Sequence, residues 1–301
     1  MDLACPHRSP PRPPRSPAQI SQFHAGGFLL FDRLIDPALL APARARFEPL
    51  FRGEFETGTQ PDEWNWREGK SAPDLTRQIC NGWKADRTLA RILLAEQLGQ
   101  TAATLMGWSG ARIMHDNVLW KPPGAKSLGY HQDNAYLSWY RPAGLMTIWM
   151  SLDETTAGGG TLEFVRGSHK WQASRPEGEF HAPADYTRVM EKAAAAAGVA
   201  PEIVPVVVPA GGGSFHHGWT WHGSGPNRSG QPRRTLVLHA MPADVEFVPA
   251  AFGEGNGPIY SRYRRLTDTA MDENHFPILW SQDGRRTKGL DAWLALGPGA
   301  S

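Results

Sequence analysis

Three side chains of the sequence have the types and the spacing of a metal centre. His131 and Asp133 are two residues apart in the segment GYHQDNAY, and His222 lies in the later segment WHGSGPN. Residues i and i+2 of a strand face the same side, so a strand here would direct the imidazole and the carboxylate into one cavity. Two histidines and one carboxylate leave three positions of an octahedron open, as non-haem Fe(II) oxygenases require.

The distal histidine is the least constrained of these three candidates. His216, His217 and His239 lie near His222 in the sequence and compete with it for the role. A histidine and an aspartate two residues apart also occur by chance, as a surface hydrogen bond. Because His222 is far from Asp133 along the chain, the fold has to bring two distant segments together, which a jelly roll does.

The elements expected to position these side chains are short strands. After Gly110 the sequence consists of β-like runs that are separated by glycine and proline. The predicted strands are residues 112–120, 145–152, 161–165, 203–208, 213–217 and 235–241. Several short strands with turn signals between them indicate a sandwich or a barrel. The predicted fold class is mainly β with flanking helices, built on a double-stranded β-helix, that is, a cupin-like jelly-roll core.

Helices are expected mainly before these strands. Residues 37–50 begin with a proline at the first helical position, after Asp36 as N-cap. Residues 87–106 have apolar side chains at helical spacing, with Asp86 as the cap and Gly107 after the end. A further helical stretch lies within an insert at residues 172–199, and we expect it to be an excursion between strands.

The chain is expected to form one domain. Residues 1–17 are rich in proline, arginine and serine, a composition that predicts a disordered tail. Residues 18–296 are predicted to be a single domain in which the helices pack against the jelly roll. The segment from Tyr260 onward is too aromatic for disorder, and we expect it to pack back on the barrel.

The composition argues against several classes of function. A formal net charge of +1 gives no electrostatic signature for nucleic acid or anionic lipid. No apolar run approaches the roughly 18 residues of a membrane span, and the N-terminal region lacks the apolar core of a secretory signal. Two cysteines are too few for a disulfide framework and favour a reducing compartment. We therefore expect a cytoplasmic monomer or homodimer that acts on a small molecule.

Further segments form an ordered pattern around the candidate ligands. They are Lys-Pro-Pro at 121–123, TIWMSLD at 147–153, GGGTLEFVRGSHKW at 158–171 and HGSGPNRSGQPRR at 222–234. In this order and spacing they resemble the phytanoyl-CoA dioxygenase family of 2-oxoglutarate-dependent oxygenases. The resemblance covers roughly residues 22–280 and is most specific between 117 and 239. It implies Fe(II) as the metal, with 2-oxoglutarate and O2 as cosubstrates.

The resemblance also implies roles for individual residues. The iron ligands fall on His131, Asp133 and His222. The arginine that anchors 2-oxoglutarate falls on Arg233, whose planar guanidinium suits a carboxylate; its neighbour Arg234 would face the opposite side of a strand. The other implied cofactor-binding residues are Ser224, Trp149, Asn117 and Gln132, the last through its backbone.

The resemblance favours one reaction outcome without naming a substrate. It favours hydroxylation of an unactivated C–H bond in a secondary metabolite, an amino acid or an acyl thioester, with release of succinate and CO2, or another outcome that keeps the carboxylate ligand. Related halogenases have a small residue in place of the ligating carboxylate; because Asp133 is present, halogenation is not expected. Tyr136, Trp139 and Trp221 are candidates for the wall of a substrate pocket, and core packing is the alternative.

Two other functions remain open from the residues alone. One is a different jelly-roll metalloenzyme, such as a cupin-like isomerase or hydrolase that uses Zn or Mn; Arg233 and the ordered segments argue against it. The other is a non-catalytic binding jelly roll, which would not need every iron ligand and the arginine. In the C-terminal segment, Arg262, Arg264 and Arg265 either meet an anionic substrate or form a solvated face.

Overall fold

The computed structural model describes residues 16–249 and 260–297. The tail predicted at residues 1–17 lies outside this part of the chain except for its last two residues. Ser16 caps the first helix, and Pro17 is the first helical residue. The first helix therefore begins one residue before the predicted start of the domain at residue 18.

The helices precede, interrupt and follow the strands. They are α1 (Pro17–Gly26), α2 (Pro37–Arg52), α3 (Gly82–Ala85), α4 (Arg87–Leu93), α5 (Glu96–Met106), α6 (Arg188–Ala196) and α7 (Leu290–Ala295). The Asp36 carboxylate accepts a hydrogen bond of 2.9 Å from the Ala38 amide, so α2 begins where the sequence predicts. Helix α6 lies in the predicted insert.

The prediction of one helix over residues 87–106 is wrong. Asp86 caps α4 and Gly107 ends α5 in a left-handed conformation, as expected, but the chain is extended at Ala95. The physical reason is packing: α4 contacts α2 and α3, whereas α5 packs on the sheet. A break near Ala95 lets both apolar faces be buried, and the local helical spacing does not reveal it.

The described strands include all six that the sequence predicts, although the predicted strand 203–208 ends at residue 205. They are β1 (Phe28–Phe31), β2 (Glu63–Trp64), β3 (Arg77–Cys80), β4 (Gly110–Lys121), β5 (Leu128–His131), β6 (Tyr140–Arg141), β7 (Met146–Ser151), β8 (Leu162–Val165), β9 (Ile203–Pro205), β10 (Gly213–His217), β11 (His222–Ser224), β12 (Arg233–Pro242), β13 (Glu246–Phe247) and β14 (Ile278–Ser281). Short 3-10 turns occur at Asp133–Tyr136, Ser168–Lys170 and Ser261–Tyr263.

Two antiparallel sheets form the body of the described chain. The larger has the order β1-β10-β7-β12-β4-β3-β2, with β14 also paired to β4, and the smaller has the order β5-β11-β8-β9. Neighbours in each sheet come from distant parts of the sequence, as in a double-stranded β-helix. The mainly β jelly-roll fold with flanking helices is therefore confirmed.

Strand β12 separates the main core from the inside of the roll. Leu236 and Leu238 pack in the largest hydrophobic cluster, which lies between the larger sheet and the helices. Arg233, Val237 and His239 alternate with them and line the interior. Because successive strand residues face opposite sides, this alternation decides which side chains reach the metal region.

The segment from Tyr260 packs on the barrel, as expected. Tyr260 and Phe276 are buried together with Trp139, and β14 extends the larger sheet by pairing with β4. Among the described residues, no helix combines the length and the apolar character that crossing a bilayer would require.

Candidate metal centre

The three predicted ligands converge in the structure. His131 ends β5 and His222 begins β11, and the two residues are direct partners in the register of these strands. Asp133 Oδ1 is 3.3 Å from His131 Nε2 and 3.5 Å from His222 Nε2. One ligand atom from each residue lies within 4.8 Å of the others. This spacing allows a single ion to contact all three side chains.

The local explanation for the first two ligands needs a correction. Asp133 is not in a strand, because β5 ends at His131 and Asp133 opens a 3-10 turn. Gln132 between them remains extended, with φ −119° and ψ 125°. The two side chains therefore still point to the same side, as the strand argument requires, although the strand itself has ended.

Backbone carbonyls orient both imidazoles. His131 Nδ1 lies 3.0 Å from the Gly129 carbonyl oxygen, and His222 Nδ1 lies 2.9 Å from the Thr220 carbonyl oxygen. If each Nδ1 carries the proton and donates it, each Nε2 presents a lone pair toward Asp133. Histidines that ligate metals usually have such a partner on the other nitrogen, which fixes the ring and its tautomer.

Asp133 is held as a carboxylate. The Thr147 hydroxyl donates a hydrogen bond of 2.6 Å to Asp133 Oδ2, which leaves Oδ1 facing the two histidines. Burial alone would raise the pKa of Asp133, but the surrounding imidazoles, His222 first among them, hold it well below its ordinary value. Burial in turn lowers the pKa of His222 well below 6.5, which favours loss of the proton that a metal ion would replace.

The competing histidines occupy other positions. His216 Nε2 and His239 Nδ1 approach the other carboxylate oxygen, Asp133 Oδ2, at 3.4 and 3.9 Å. His239 Nδ1 also lies 3.0 Å from the Thr147 hydroxyl. The ring of His217 faces away, and its Nδ1 accepts a hydrogen bond of 3.1 Å from the Trp219 amide. His216 and His239 therefore surround the ligand group without completing it, and His217 lies outside it.

A small cavity of about 80 Å³ extends from the ligands to Arg233. Arg233 is 4% exposed, and its Nε has no hydrogen-bond partner among the described residues. Burial lowers its pKa to about 10, so the guanidinium is still charged near neutral pH. Its Nη1 makes a long hydrogen bond of 3.4 Å to the Thr235 hydroxyl, and a buried cation with so few partners is unfavourable unless an anion joins it. The donor set thus fits a bound carboxylate at this end of the cavity.

Arg234 lies on the other face of β12. Its guanidinium makes two hydrogen bonds to the Asp153 carboxylate, at 2.8 and 3.0 Å. Arg44 of α2 approaches the same carboxylate at 3.3 Å. Arg234 is consequently engaged outside the roll, while Arg233 faces the cavity.

Ser224 and Lys121 form a polar cluster beside Arg233. The Ser224 hydroxyl donates to the Gly160 carbonyl at 2.7 Å and accepts from Lys121 Nζ at 2.7 Å. Lys121 is the register partner of Arg233, and its Nζ also bonds the Gly225 carbonyl. Burial first, and then the Arg233 charge, lower the pKa of Lys121 to about 6. The hydroxyl proton of Ser224 is therefore donated to a backbone carbonyl of the protein itself.

The remaining predicted cofactor-binding residues divide into two groups. Trp149 and Asn117 line the cavity, and the guanidinium carbon of Arg233 is 5.5 Å from the centre of a Trp149 ring. Gln132 is not in its wall: its fully buried side chain donates to the Trp219 carbonyl at 2.6 Å and accepts from the Ser174 amide at 2.9 Å. Gln132 thus ties the ligand turn to neighbouring loops.

A second, larger cavity of about 330 Å³ meets the first at His131 and Asp133. Tyr136 lines it, as predicted for a substrate pocket. Trp139 lines neither of these cavities, whereas Trp221 lines a separate crevice that also touches His131, so their place in a substrate pocket stays a prediction. Both are 1% exposed core residues, in separate hydrophobic clusters.

Sequence reasoning missed the contact between Thr147 and Asp133. A usable signal was present, because Thr147 precedes Trp149 by two residues in β7 and therefore shares its face. His216 was considered only as a competing ligand. Neither of its ring nitrogens has a hydrogen-bond partner among the described residues, although the ring is buried beside Asp133.

The family of the chain follows from comparison with known proteins. The profile of the phytanoyl-CoA dioxygenase family matches residues 23–235, more than half of the chain. The chain belongs to the phytanoyl-CoA dioxygenase family. The expected Fe(II) and 2-oxoglutarate are the cofactor and cosubstrate of this family, and the His131, Asp133 and His222 group is consistent with iron.

Individual relatives of this family member are distant. A probable alpha-ketoglutarate-dependent hypophosphite dioxygenase of Stutzerimonas stutzeri is 29% identical over 141 residues, which are 44% of this chain and 46% of that protein. The dioxygenase cdmD of Talaromyces verruculosus is 28% identical over 134 residues, 42% of this chain and 38% of that protein. The matched part thus spans less than half the length of these curated relatives.

Solved structures of low sequence identity share the fold. The carbocyclase SnoK from nogalamycin biosynthesis superimposes with a TM-score of 0.69 at 22% identity, over 90% of this chain and 99% of that one. The epimerase SnoN, in complex with Fe3+, alpha ketoglutarate and nogalamycin RO, has a TM-score of 0.64 at 19% identity, over 88% and 100%. The fold of this family member therefore accompanies more than one type of reaction.

Proposed function

We propose that this protein is a 2-oxoglutarate-dependent dioxygenase that hydroxylates an unactivated C–H bond of a small molecule. The observation that carries the proposal is the position of Arg233 in the cavity that the three ligands also line. A metal site with a buried, under-partnered cation beside it fits a chelating cosubstrate that has a second carboxylate. An isomerase or hydrolase site that uses Zn or Mn has no need of such a cation.

The proposal assigns the iron to His131, Asp133 and His222, and the distal carboxylate of 2-oxoglutarate to Arg233. Bound iron would supply the oxidising chemistry with O2 and 2-oxoglutarate, with succinate and CO2 as co-products. Trp149 is positioned to flank the cosubstrate near the guanidinium. Lys121 holds the Ser224 turn through its Nζ.

Other side chains of the protein would prepare the site before any substrate arrives. Thr147 fixes the rotation of the Asp133 carboxylate through its hydroxyl. Leu162 and Val237 contribute apolar wall to the smaller cavity, where they would limit the entry of water. The larger cavity is the proposed place for the substrate, since it opens onto the same ligands from a different side.

Hydroxylation is the outcome we propose because Asp133 occupies the metal position that chloride would need. The named relatives include an epimerase and a carbocyclase, so product analysis has to accompany any activity. Cytoplasmic location and assembly as a monomer or homodimer stay predictions from the sequence.

The proposal is tested by succinate release. The purified protein is reconstituted with Fe(II) without oxygen, then exposed to 2-oxoglutarate and O2 with a panel of small molecules. We expect succinate formation that certain compounds stimulate, with one oxygen atom from 18O2 in their products. A protein that releases no succinate under any condition, or does so equally well after metal chelation, is not a dioxygenase of this kind.

A further inference from the structure

The charges around the larger cavity point to a substrate class. Its described wall includes polar side chains from β2, β3 and β4, together with the ligands His131 and Asp133. None of the described wall residues is a lysine or an arginine. Apart from Asp133, the carboxylate in this described wall is that of Glu63.

Glu63 lacks an ionic partner among the described residues. It lies on β2 opposite Cys80, whose thiol donates a hydrogen bond of 3.2 Å to Glu63 Oε2. Its neighbour Asp62 is different, because Lys84 and Arg262 each approach the Asp62 carboxylate at 2.9 Å. The two adjacent acids therefore differ. Asp62 is paired with two cationic side chains, whereas Glu63 faces the cavity and has the Cys80 thiol as a weak hydrogen-bond donor.

The histidines of this wall do not offset the Glu63 charge. Burial lowers the pKa of His115 well below 6.5. Burial also lowers the pKa of His181. These rings are therefore neutral near pH 7. Apart from the metal ligands, the carboxylate of Glu63 is thus the charged group that the described wall presents.

A chain of polar contacts connects Glu63 with the metal carboxylate, and the single proton of the Cys80 thiol serves one of two acceptors in it. The Cys80 thiol also lies 2.9 Å from Asn117 Oδ1, and Asn117 Nδ2 is 3.1 Å from His239 Nε2. His239 contacts Thr147, which bonds Asp133. A substrate group bound to Glu63 would consequently lie at a fixed place relative to the ligands, which a hydroxylation at one carbon requires.

The C-terminal arginines do not provide an anionic subsite in this cavity. Arg262 pairs with Asp62, and Arg265 pairs with Asp272 at 2.6 Å. Arg264 donates to the Pro249 carbonyl at 2.9 Å. None of the three is part of the described wall. Of the two interpretations of these residues, the anionic-substrate one therefore has no support from the cavity.

We propose that the substrate carries a protonated amine that Glu63 binds, so that Glu63 determines specificity for amines over carboxylates. This inference rests on the proposed function, because it takes the cavity beside the ligands as the substrate pocket. An ammonium would give Glu63 the ionic partner it lacks, and Gln78 and Asn65 of the same wall would offer further polar contacts. A carboxylate or phosphate there would be repelled.

Paramagnetic relaxation tests this with three matched probes: cyclohexylmethylamine, cyclohexylmethanol and cyclohexanecarboxylate. The full chain is loaded with Mn(II) and saturating 2-oxoglutarate, so that the cosubstrate site is occupied, and proton relaxation of each probe is measured. We expect the enhancement for the amine to exceed that for the carboxylate by about fivefold, as for a partly exposed ion pair. Glu63→Gln should remove this preference, and Glu68→Gln, at an exposed acid, should retain it.

The outcomes separate the two proposals. If the relaxation enhancement of the carboxylate or of the alcohol equals that of the amine, the amine proposal is wrong. It is also wrong if Glu63→Gln keeps the preference for the amine. Succinate release by the Fe(II)-loaded protein is measured in parallel. Succinate release without an amine preference overturns the amine proposal alone, whereas the absence of succinate in all conditions overturns the proposed function. The thermal midpoint of Glu63→Gln checks that the variant is folded.

Discussion

His131 and His222 are register partners on antiparallel strands, and the centres of their imidazole rings are 4.1 Å apart. The pairing of β5 with β11, rather than a flexible loop, sets the separation of these two side chains. Asp133 completes the group from a turn that immediately follows β5. The site is therefore largely formed by main-chain hydrogen bonding before any ion binds, which reduces the cost of ordering it.

Asp133→Ala is expected to abolish hydroxylation and weaken metal binding. The change removes the anionic ligand, and even groups that only support metal ligands contribute roughly 10- to 100-fold in affinity. We expect a loss of more than about 100-fold, measured by Mn(II) titration with electron paramagnetic resonance. Asp74→Ala, at an acid paired with Lys126 away from the site, serves as the matched control.

The unmodified protein is expected to release no chlorinated product when chloride is present. Asp133 fills the metal position that a halide would take. Mass spectrometry of the products in chloride-containing buffer measures this directly. A chlorinated product from the unmodified protein would show that Asp133 is not a ligand during turnover.

Arg233→Ala should raise the dissociation constant of 2-oxoglutarate by two or more orders of magnitude. Removing one partner of a buried ionic contact costs about 3 to 5 kcal/mol. Metal affinity should change little, because Arg233 is not a ligand. Calorimetric titration of 2-oxoglutarate into the Mn(II)-loaded variant measures the effect.

Arg234→Ala is the matched control for Arg233→Ala. Its guanidinium binds Asp153 on the other face of β12, so 2-oxoglutarate affinity should stay within about twofold. The loss of a partly exposed ion pair should lower the free energy of unfolding by about 1 kcal/mol or less. If Arg234→Ala is instead the variant that loses 2-oxoglutarate, the assignment of the inward face of β12 is wrong.

Thr147→Val should weaken metal binding by about tenfold while the protein stays folded. Valine matches the shape of threonine but cannot donate to Asp133 Oδ2, so the carboxylate loses its fixed rotation. Thr147→Ser keeps the hydroxyl and should restore most of the affinity in the same Mn(II) titration. Equal affinities for the valine and serine variants would assign Thr147 a packing role only.

Acid should destabilise the metal-free protein partly through His217. Burial lowers its pKa from 6.5 to about 4, so the folded protein binds fewer protons than the unfolded chain between these pH values. The contribution to stability is therefore complete above pH 6.5 and is lost as the pH falls toward 4. Urea unfolding across this range should show a loss on the order of 2 kcal/mol from this residue.

His217→Asn tests that assignment. An asparagine oxygen can accept the hydrogen bond that the Trp219 amide donates to His217 Nδ1, and it does not titrate. The variant should lose less stability than the parent between pH 6.5 and 4, and the exposed His24→Asn should behave like the parent. A pH dependence that is identical in all three proteins would exclude His217 as a source.

The sequence alone determined the features that depend on near neighbours. Asp36 and Asp86 cap helices because their short carboxylates reach amides two or three residues ahead. Residues 213–217 form a strand with the predicted limits. The sequence likewise gives the residue types of the ligands. It also gives the alternation of strand residues that places Arg233 and Arg234 on opposite faces of β12.

Tertiary structure decided which side chains reach a cavity and which fill the core. Trp139 is an aromatic candidate for a pocket wall, yet elements that are remote in sequence bury it in the core. The hydroxyl of Ser224 donates to the Gly160 carbonyl, because the fold brings that carbonyl beside it. Such contacts depend on how distant strands pair, and short-range periodicity has no information about that pairing.

The same reason explains what was absent from the sequence interpretation. Thr147 and Glu63 are ordinary polar residues of strands until β7 and β2 are placed beside the ligands and the larger cavity. The single helix predicted over residues 87–106 divides because its two halves pack on different partners. Residue type and spacing specified the side chains of this site, and long-range packing specified its walls, its supporting hydrogen bonds and the carboxylate that lines the larger cavity.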